Sequence, residues 1–228
     1  MIKTSIVAVA CVLSGIAQAS VLYDSADVAP NLFDIGTSDN VAIVPQQLAG
    51  QFNVAETIEM TTVSVFGAYA DWSHFIPGIA GNTSVDNFNV SVLSGDNGDA
   101  VVSSNIATSV TRTLAATAAD IGWFYDIYRY EFSVNSTVLE GGKDYWLAVS
   151  NTTPSLDIEW GWATSSNPTS SSLVSLDQGN SWRYNGGSLA FSIEGDVVSV
   201  DVPEPNVLVV FMLGLLALLA VTKRRIHD

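Results

Sequence analysis

The strongest constraint on the fold of this chain is an alternation with a period of two. Tyr128, Tyr130, Phe132 and Val134 alternate with Arg129, Glu131, Ser133 and Asn135, and Phe88, Val90 and Val92 alternate with Asn87, Asn89 and Ser91. Successive side chains of an extended chain point to opposite faces, so each stretch is predicted as a strand with one apolar and one polar face. Val63 to Val65, the set Tyr145, Leu147 and Val149, and the set Leu189, Phe191 and Ile193 follow the same rule. Turn residues separate them: Ser94-Gly95-Asp96-Asn97-Gly98-Asp99, Glu140-Gly141-Gly142-Lys143-Asp144, Asn167-Pro168 and Asn185-Gly186-Gly187. Glycine supplies positive φ there, and Asn and Asp bond their own backbone. Only Leu114 to Asp120 has a helix-like composition, and its length allows no more than about two turns. Many short strands with almost no helix predict an all-β fold, an antiparallel β-sandwich of jelly-roll-like form.

The two ends differ in kind from this body. Lys3, the apolar stretch Ile6 to Leu13 and the small-x-small site Ala17-Gln18-Ala19 read as a signal peptide over residues 1–19, with Ser20 as the first mature residue. The single cysteine, Cys11, lies inside that leader, so the body uses neither disulfides nor thiol chemistry even on an oxidising export route. The 183 residues from Ser20 to Val202 are enough for one domain with its own core, and no linker or repeat divides them. That body carries 21 Asp and Glu against only Arg112, Arg129, Lys143 and Arg183, a net charge of −17. Such a surface repels nucleic acid and anionic membranes, and favours solubility or divalent cations.

Few residues in the body suggest chemistry. His74 is its one histidine, too little for a zinc site, and no serine sits in a nucleophile-elbow context. Glu131, Glu159 and Glu194 lie in strand-like stretches, where paired carboxylates for glycoside cleavage compete with an ordinary solvated face. Asp96, Asn97 and Asp99 offer oxygen ligands to calcium within a tight turn, although the spacing is not that of an EF-hand and the same residues suit any hairpin. Trp160 and Trp162 are two apart, hence on one strand face, and with Trp182 are candidates for stacking on sugar rings; core packing is the competing use. The body is therefore expected to be non-enzymatic, with a calcium-stabilised carbohydrate-binding module as the alternative.

After the body come Pro203-Glu204-Pro205, an uncharged apolar run from Val207 to Val221, and Lys223-Arg224-Arg225. The prolines each fix φ and lack an N-H, which makes the first part an extended hinge. As a helix the apolar run is roughly 22 Å long, short of the ~30 Å hydrocarbon core but able to span a thinned bilayer, and the basic cluster belongs on the cytoplasmic side. This order, together with Leu213 to Leu216, resembles the PEP-CTERM sorting signal of Gram-negative, exopolysaccharide-producing bacteria. Ile226-His227-Asp228 extends past the usual end of that signal. The resemblance covers residues 203–228. It implies recognition by a membrane-embedded exosortase, removal of the helix, and passage from the inner membrane to the cell surface or the matrix of a biofilm, with exopolysaccharide as a partner. Within the body, Tyr145 to Asn151, Trp160-Gly161-Trp162, Ser181-Trp182 and Leu189-Ala190-Phe191 resemble the jelly-roll-like ectodomain common among such proteins, which carries no activity over.

Overall fold

The computed structural model describes residues 19–27, 35–37, 45–70, 86–117, 126–152, 159–166 and 170–198. The leader, the sorting residues Pro203, Glu204, Pro205, Lys223, Arg224 and Arg225, and also Trp72, His74, Trp123 and the Asn167-Pro168 turn lie outside the described residues. The chain divides into two compact units, Met1–Val197 and Val198–Asp228, and the first holds the strands.

The strands are β1 (Ser20–Asp24), β2 (Ile35–Thr37), β3 (Gln47–Asn53), β4 (Ile58–Ala70), β5 (Phe88–Ser94), β6 (Ala100–Ser103) and β7 (Ala107–Ala116). They continue with β8 (Ile127–Leu139), β9 (Asp144–Asn151), β10 (Glu159–Ala163), β11 (Ser172–Ser175), β12 (Arg183–Tyr184) and β13 (Phe191–Val197). All pairings among them are antiparallel, so the fold is the expected all-β one.

The larger sheet is organised by β4. One of its edges pairs with β8, which pairs in turn with β7. Its other edge is shared, β13 taking Ile58 to Val65 and β10 taking Gly67 to Ala70. Strands β1 and β2 then flank β13 and β10 respectively. The smaller sheet runs β12-β11-β3-β9-β5-β6. The inner faces meet in one core: Ile58, Met60, Val63, Val65, Tyr130, Phe132, Phe191 and Ile193 from the larger sheet, and Leu48, Phe52, Val90, Val92, Leu147 and Val149 from the smaller. Every one of these was on the apolar side of a period-two stretch or its partner strand, which is why two amphipathic sheets stack to bury them.

Two features depart from a simple sandwich. Residues Leu114 to Ala116, helix-like in composition, continue β7, because Leu114 pairs with Tyr128 and Ala116 with Ile127 along an available strand edge. Cross-strand hydrogen bonds here outweigh the helical preference of alanine. The second feature is β9, buried on both faces from Tyr145 to Asn151. Its outward residues Trp146 and Ala148 join Ala49, Leu93 and Leu173 in a second apolar cluster on the outer face of the smaller sheet, with Trp182 packed against it.

Gly67 shows how tightly the core is filled. It pairs with Trp162, and a β-carbon there would lie 2.7 Å from the Trp160 ring and closer still to the Gly161 carbonyl oxygen. Gly67→Ala is expected to lower the stability by about 1–3 kcal/mol, the usual cost of overpacking, read from urea unfolding of the body. An unchanged midpoint would show that both the β10 backbone at Gly161 and the Trp160 indole give way freely.

Candidate functional site

Three surface or edge regions gather polar chemistry, and the tryptophans sort themselves among them. Trp160 and Trp162 do share one face of β10, as their spacing requires. That face is the inner one, and both indoles are 0 % exposed. Trp160 meets Phe88 at 5.0 Å and Tyr130 at 5.7 Å, both edge to face, while Trp162 meets Phe191 at 5.8 Å and donates its Nε1-H to the Ala190 carbonyl at 2.9 Å. The expectation that these two form a sugar-stacking platform is therefore corrected. Each is large enough to bury on the order of 200 Å² of ring surface, and the interior captures it.

Trp182 is different. It is half-buried at the end of the smaller sheet, beside a cleft lined by Val174, Leu176, Asp177, Ser181 and Arg183. The loop before it is tied by Asp177, whose carboxylate accepts from Ser175 Oγ at 2.7 Å, from Ser181 N at 2.9 Å and from Ser181 Oγ at 2.5 Å. Those bonds, the Ser181 hydroxyl first, hold the carboxyl down at about 2. Gln178 and Gly179 both take positive φ to close the loop, at 60° and 87°. No periodic signal marks this site in sequence, because it is built by a tight loop; the cluster of Asp, Ser and Asn around Gln178-Gly179 was the available clue.

The second region is the edge where β7 faces the start of β5. Arg112 Nη1 lies 3.2 Å from Asp86 Oδ1, and Tyr69 donates its hydroxyl to the same oxygen at 3.1 Å. The two charged side chains are only 17 % and 16 % exposed. The Arg112 guanidinium also sits over the Tyr128 ring, 5.3 Å from its centroid. Burial pushes the Asp86 carboxyl up against the opposing pull of Arg112 and Tyr69. The Tyr130 hydroxyl nearby is driven far up as well, first by its own burial and then by Asp86. A shallow groove adjoins this pair, lined by Asn87, Phe88, Ala107, Thr108, Ser109 and Val110. Arg112 and Asp86 reach across the open edge between the sheets, which reads as a latch.

The third region is the outer face of the larger sheet. Arg129 Nη2 lies 2.8 Å from Glu131 Oε2 and 3.6 Å from Glu194 Oε1, and the guanidinium donates to Ser64 Oγ at 2.9 and 3.1 Å. Two of the three glutamates singled out from sequence are thus brought together, across a shared cation. Glu159 opens β10 and pairs with Ala70, away from that group. A carboxylate pair bridged by arginine on a sheet face is an exposed ion-pair network, worth at most about 1 kcal/mol per pair.

The turn singled out for calcium has a structural use of its own. Asp96, Asn97 and Asp99 are exposed, while Gly98 is buried under the turn. The Asp99 carboxylate lies over Gly95, and the Gly95 carbonyl accepts from Trp146 Nε1 at 2.9 Å. The turn folds back as a cover for the outer apolar cluster, since a β-carbon on Gly98 would stand 3.1 Å from Leu173 and 3.3 Å from Leu93. Among the described residues, no three His, Cys, Asp or Glu side chains gather around a metal-sized space.

Two measurements follow. Because the folded-state value of Asp86 lies above the ordinary 3.8, the folded chain keeps this proton to a higher pH than the unfolded chain, and its contribution to stability falls as pH rises through that window. Arg112→Ala removes the opposing cation, so the Asp86 carboxyl is expected to titrate still higher by carbon NMR, with a stability loss near neutral pH of about 2 kcal/mol. An unmoved titration would show that Arg112 does not act on Asp86. For Asp177 the sign is opposite: its contribution is present above the ordinary carboxylate range and is lost as pH falls from 3.8 towards 2. The Ser181 amide resonance should follow that low titration, and a midpoint near 4 would mean the loop bonds are absent. No protein-family model matches the chain, and no curated protein matches it.

Proposed function

We propose that this chain is an exported, non-enzymatic protein of the cell surface or extracellular matrix, sorted by an exosortase and associated with exopolysaccharide. The observation that carries this reading is the three-part C-terminus: Pro203-Glu204-Pro205, the apolar run Val207 to Val221, and Lys223-Arg224-Arg225. A hinge whose two prolines lack backbone donors resists helix and sheet and is accessible to a processing enzyme, the apolar run holds it at the bilayer, and the basic cluster fixes which side it faces.

The arrangement of the body supports separability from that tail. Strand β13 ends at Val197, ahead of Pro203, so removal of everything from the hinge onward deletes none of the described strands. The strongly acidic, cysteine-free composition suits a domain that leaves the cell and stays soluble without disulfides. The chain crosses between the two sheets at most of its connections, which supports a jelly-roll-like wrapping.

Replacing Glu204 with Ala, or deleting Lys223 to Arg225, is expected to leave the full-length chain in the membrane fraction, seen as an unprocessed mass in an intact-protein spectrum. If the released form keeps its wild-type mass in both variants, exosortase recognition of this tail is wrong.

A further inference from the structure

We propose that the outer edge of the smaller sheet, formed by Trp182, Tyr184, Asp177, Ser181 and Arg183, binds neutral polysaccharide. The strand that forms this edge, β12, is only two residues long and pairs with β11 alone, Leu173 opposite Tyr184 and Val174 opposite Arg183. Residues opposite one another share a face, so Tyr184 lies on the same outer face as Leu173, and Trp182 lies two residues earlier on that face. Trp182 is anchored there by the apolar cluster beneath it. Tyr184 has no such cover and is 70 % exposed.

Two neighbouring aromatic side chains at the rim, one seated and one free, offer ring faces to the C-H faces of pyranose units. The polar groups a sugar needs line the cleft beside Trp182, at the end of the same edge. Asp177 and Ser181 are held in place there by their own hydrogen bonds, and Arg183, which shares the face of Val174 and so alternates with Tyr184, is exposed with no ion pair among the described residues. The Arg183 guanidinium can donate to vicinal hydroxyls, the Asp177 oxygens have lone pairs beyond those given to Ser175 and Ser181, and a loop already closed by Asp177 loses little freedom on binding. Charge selects the class of glycan: Asp177 stays ionised over the physiological range, and the body carries a net −17, so a polyuronate is repelled and a neutral chain is not. This inference gives the exported protein its partner, and it stands on residues distinct from the sorting signal.

The test is affinity electrophoresis of the Ser20 to Val202 body in gels containing hydroxyethyl cellulose, glycogen, galactomannan or polygalacturonate. Retardation is expected in at least one neutral gel and not in polygalacturonate. Tyr184→Ala should weaken it about tenfold, while Tyr184→Phe keeps the ring and should retain it. The exposure of Tyr184 makes an unchanged unfolding midpoint the expected control for both variants. Absence of retardation in all three neutral gels, equal retardation by polygalacturonate, or indifference to Tyr184→Ala would each overturn the proposal. So would retardation that tracks self-association of the body on a sizing column, which would make a second copy the occupant of this edge. The assay uses the soluble body, so its failure leaves the sorting reading standing, and unaltered processing of the tail variants leaves the gel result standing.

Discussion

The fold depends on a seam of aromatic rings between the two sheets. Phe88, Tyr130, Trp160, Trp162, Phe191 and Phe52 run through it in edge-to-face and tilted contacts, each ring centre 5.0 to 6.2 Å from the next. These rings come from both sheets and from strands far apart in sequence, so the sandwich closes only when the long-range pairings around β4 are in place. Deleting a buried indole typically costs about 3–5 kcal/mol, comparable to much of the stability of a domain this size. Residues 20–202 hold no cysteine and so no disulfide, which makes that seam correspondingly important.

A second apolar layer decides where the surface can act. The smaller sheet is not half-solvated on its outer face, because Trp146, Leu93, Ala148, Ala49 and Leu173 gather there under the β5–β6 turn. That turn, rich in Asp, Asn and Gly, packs over the cluster through Gly98 and accepts from Trp146 at Gly95. The cluster ends at Trp182, and the aromatic edge beyond it is where the chain presents rings and fixed polar groups together. Three of the four cations of the body are spent on order: Arg112 ties the sheet edge to Asp86, Arg129 gathers Glu131 and Glu194, and Lys143 pairs with Glu140. What is left at the surface is strongly anionic, which suits an exported protein and disfavours acidic partners.

Much of the architecture was legible in the amino-acid pattern. The alternations at Phe88–Val92, Tyr128–Val134 and Tyr145–Val149 became strands, and the clusters at Ser94–Asp99, Glu140–Asp144 and Asn185–Gly187 became turns. Leu114 to Ala116 misled because local composition reports helix propensity, whereas the free edge of β8 supplies hydrogen bonds that no local rule contains. The Asp86–Arg112 pair was invisible for a similar reason, since its members are 26 residues apart and meet only across the sandwich edge.

Sequence alone determined the all-β class, the acidic and cysteine-free character of the body, the order of proline-flanked glutamate, apolar run and basic cluster in the tail, and that Trp160 and Trp162 must face the same way. Tertiary structure decided which way that is. A period of two fixes side chains relative to one another along a strand, but the inward face is defined only by where the second sheet lies. The same packing that took those two indoles into the core left Trp182 and Tyr184 at the rim, because β12 is the last of the described strands of its sheet.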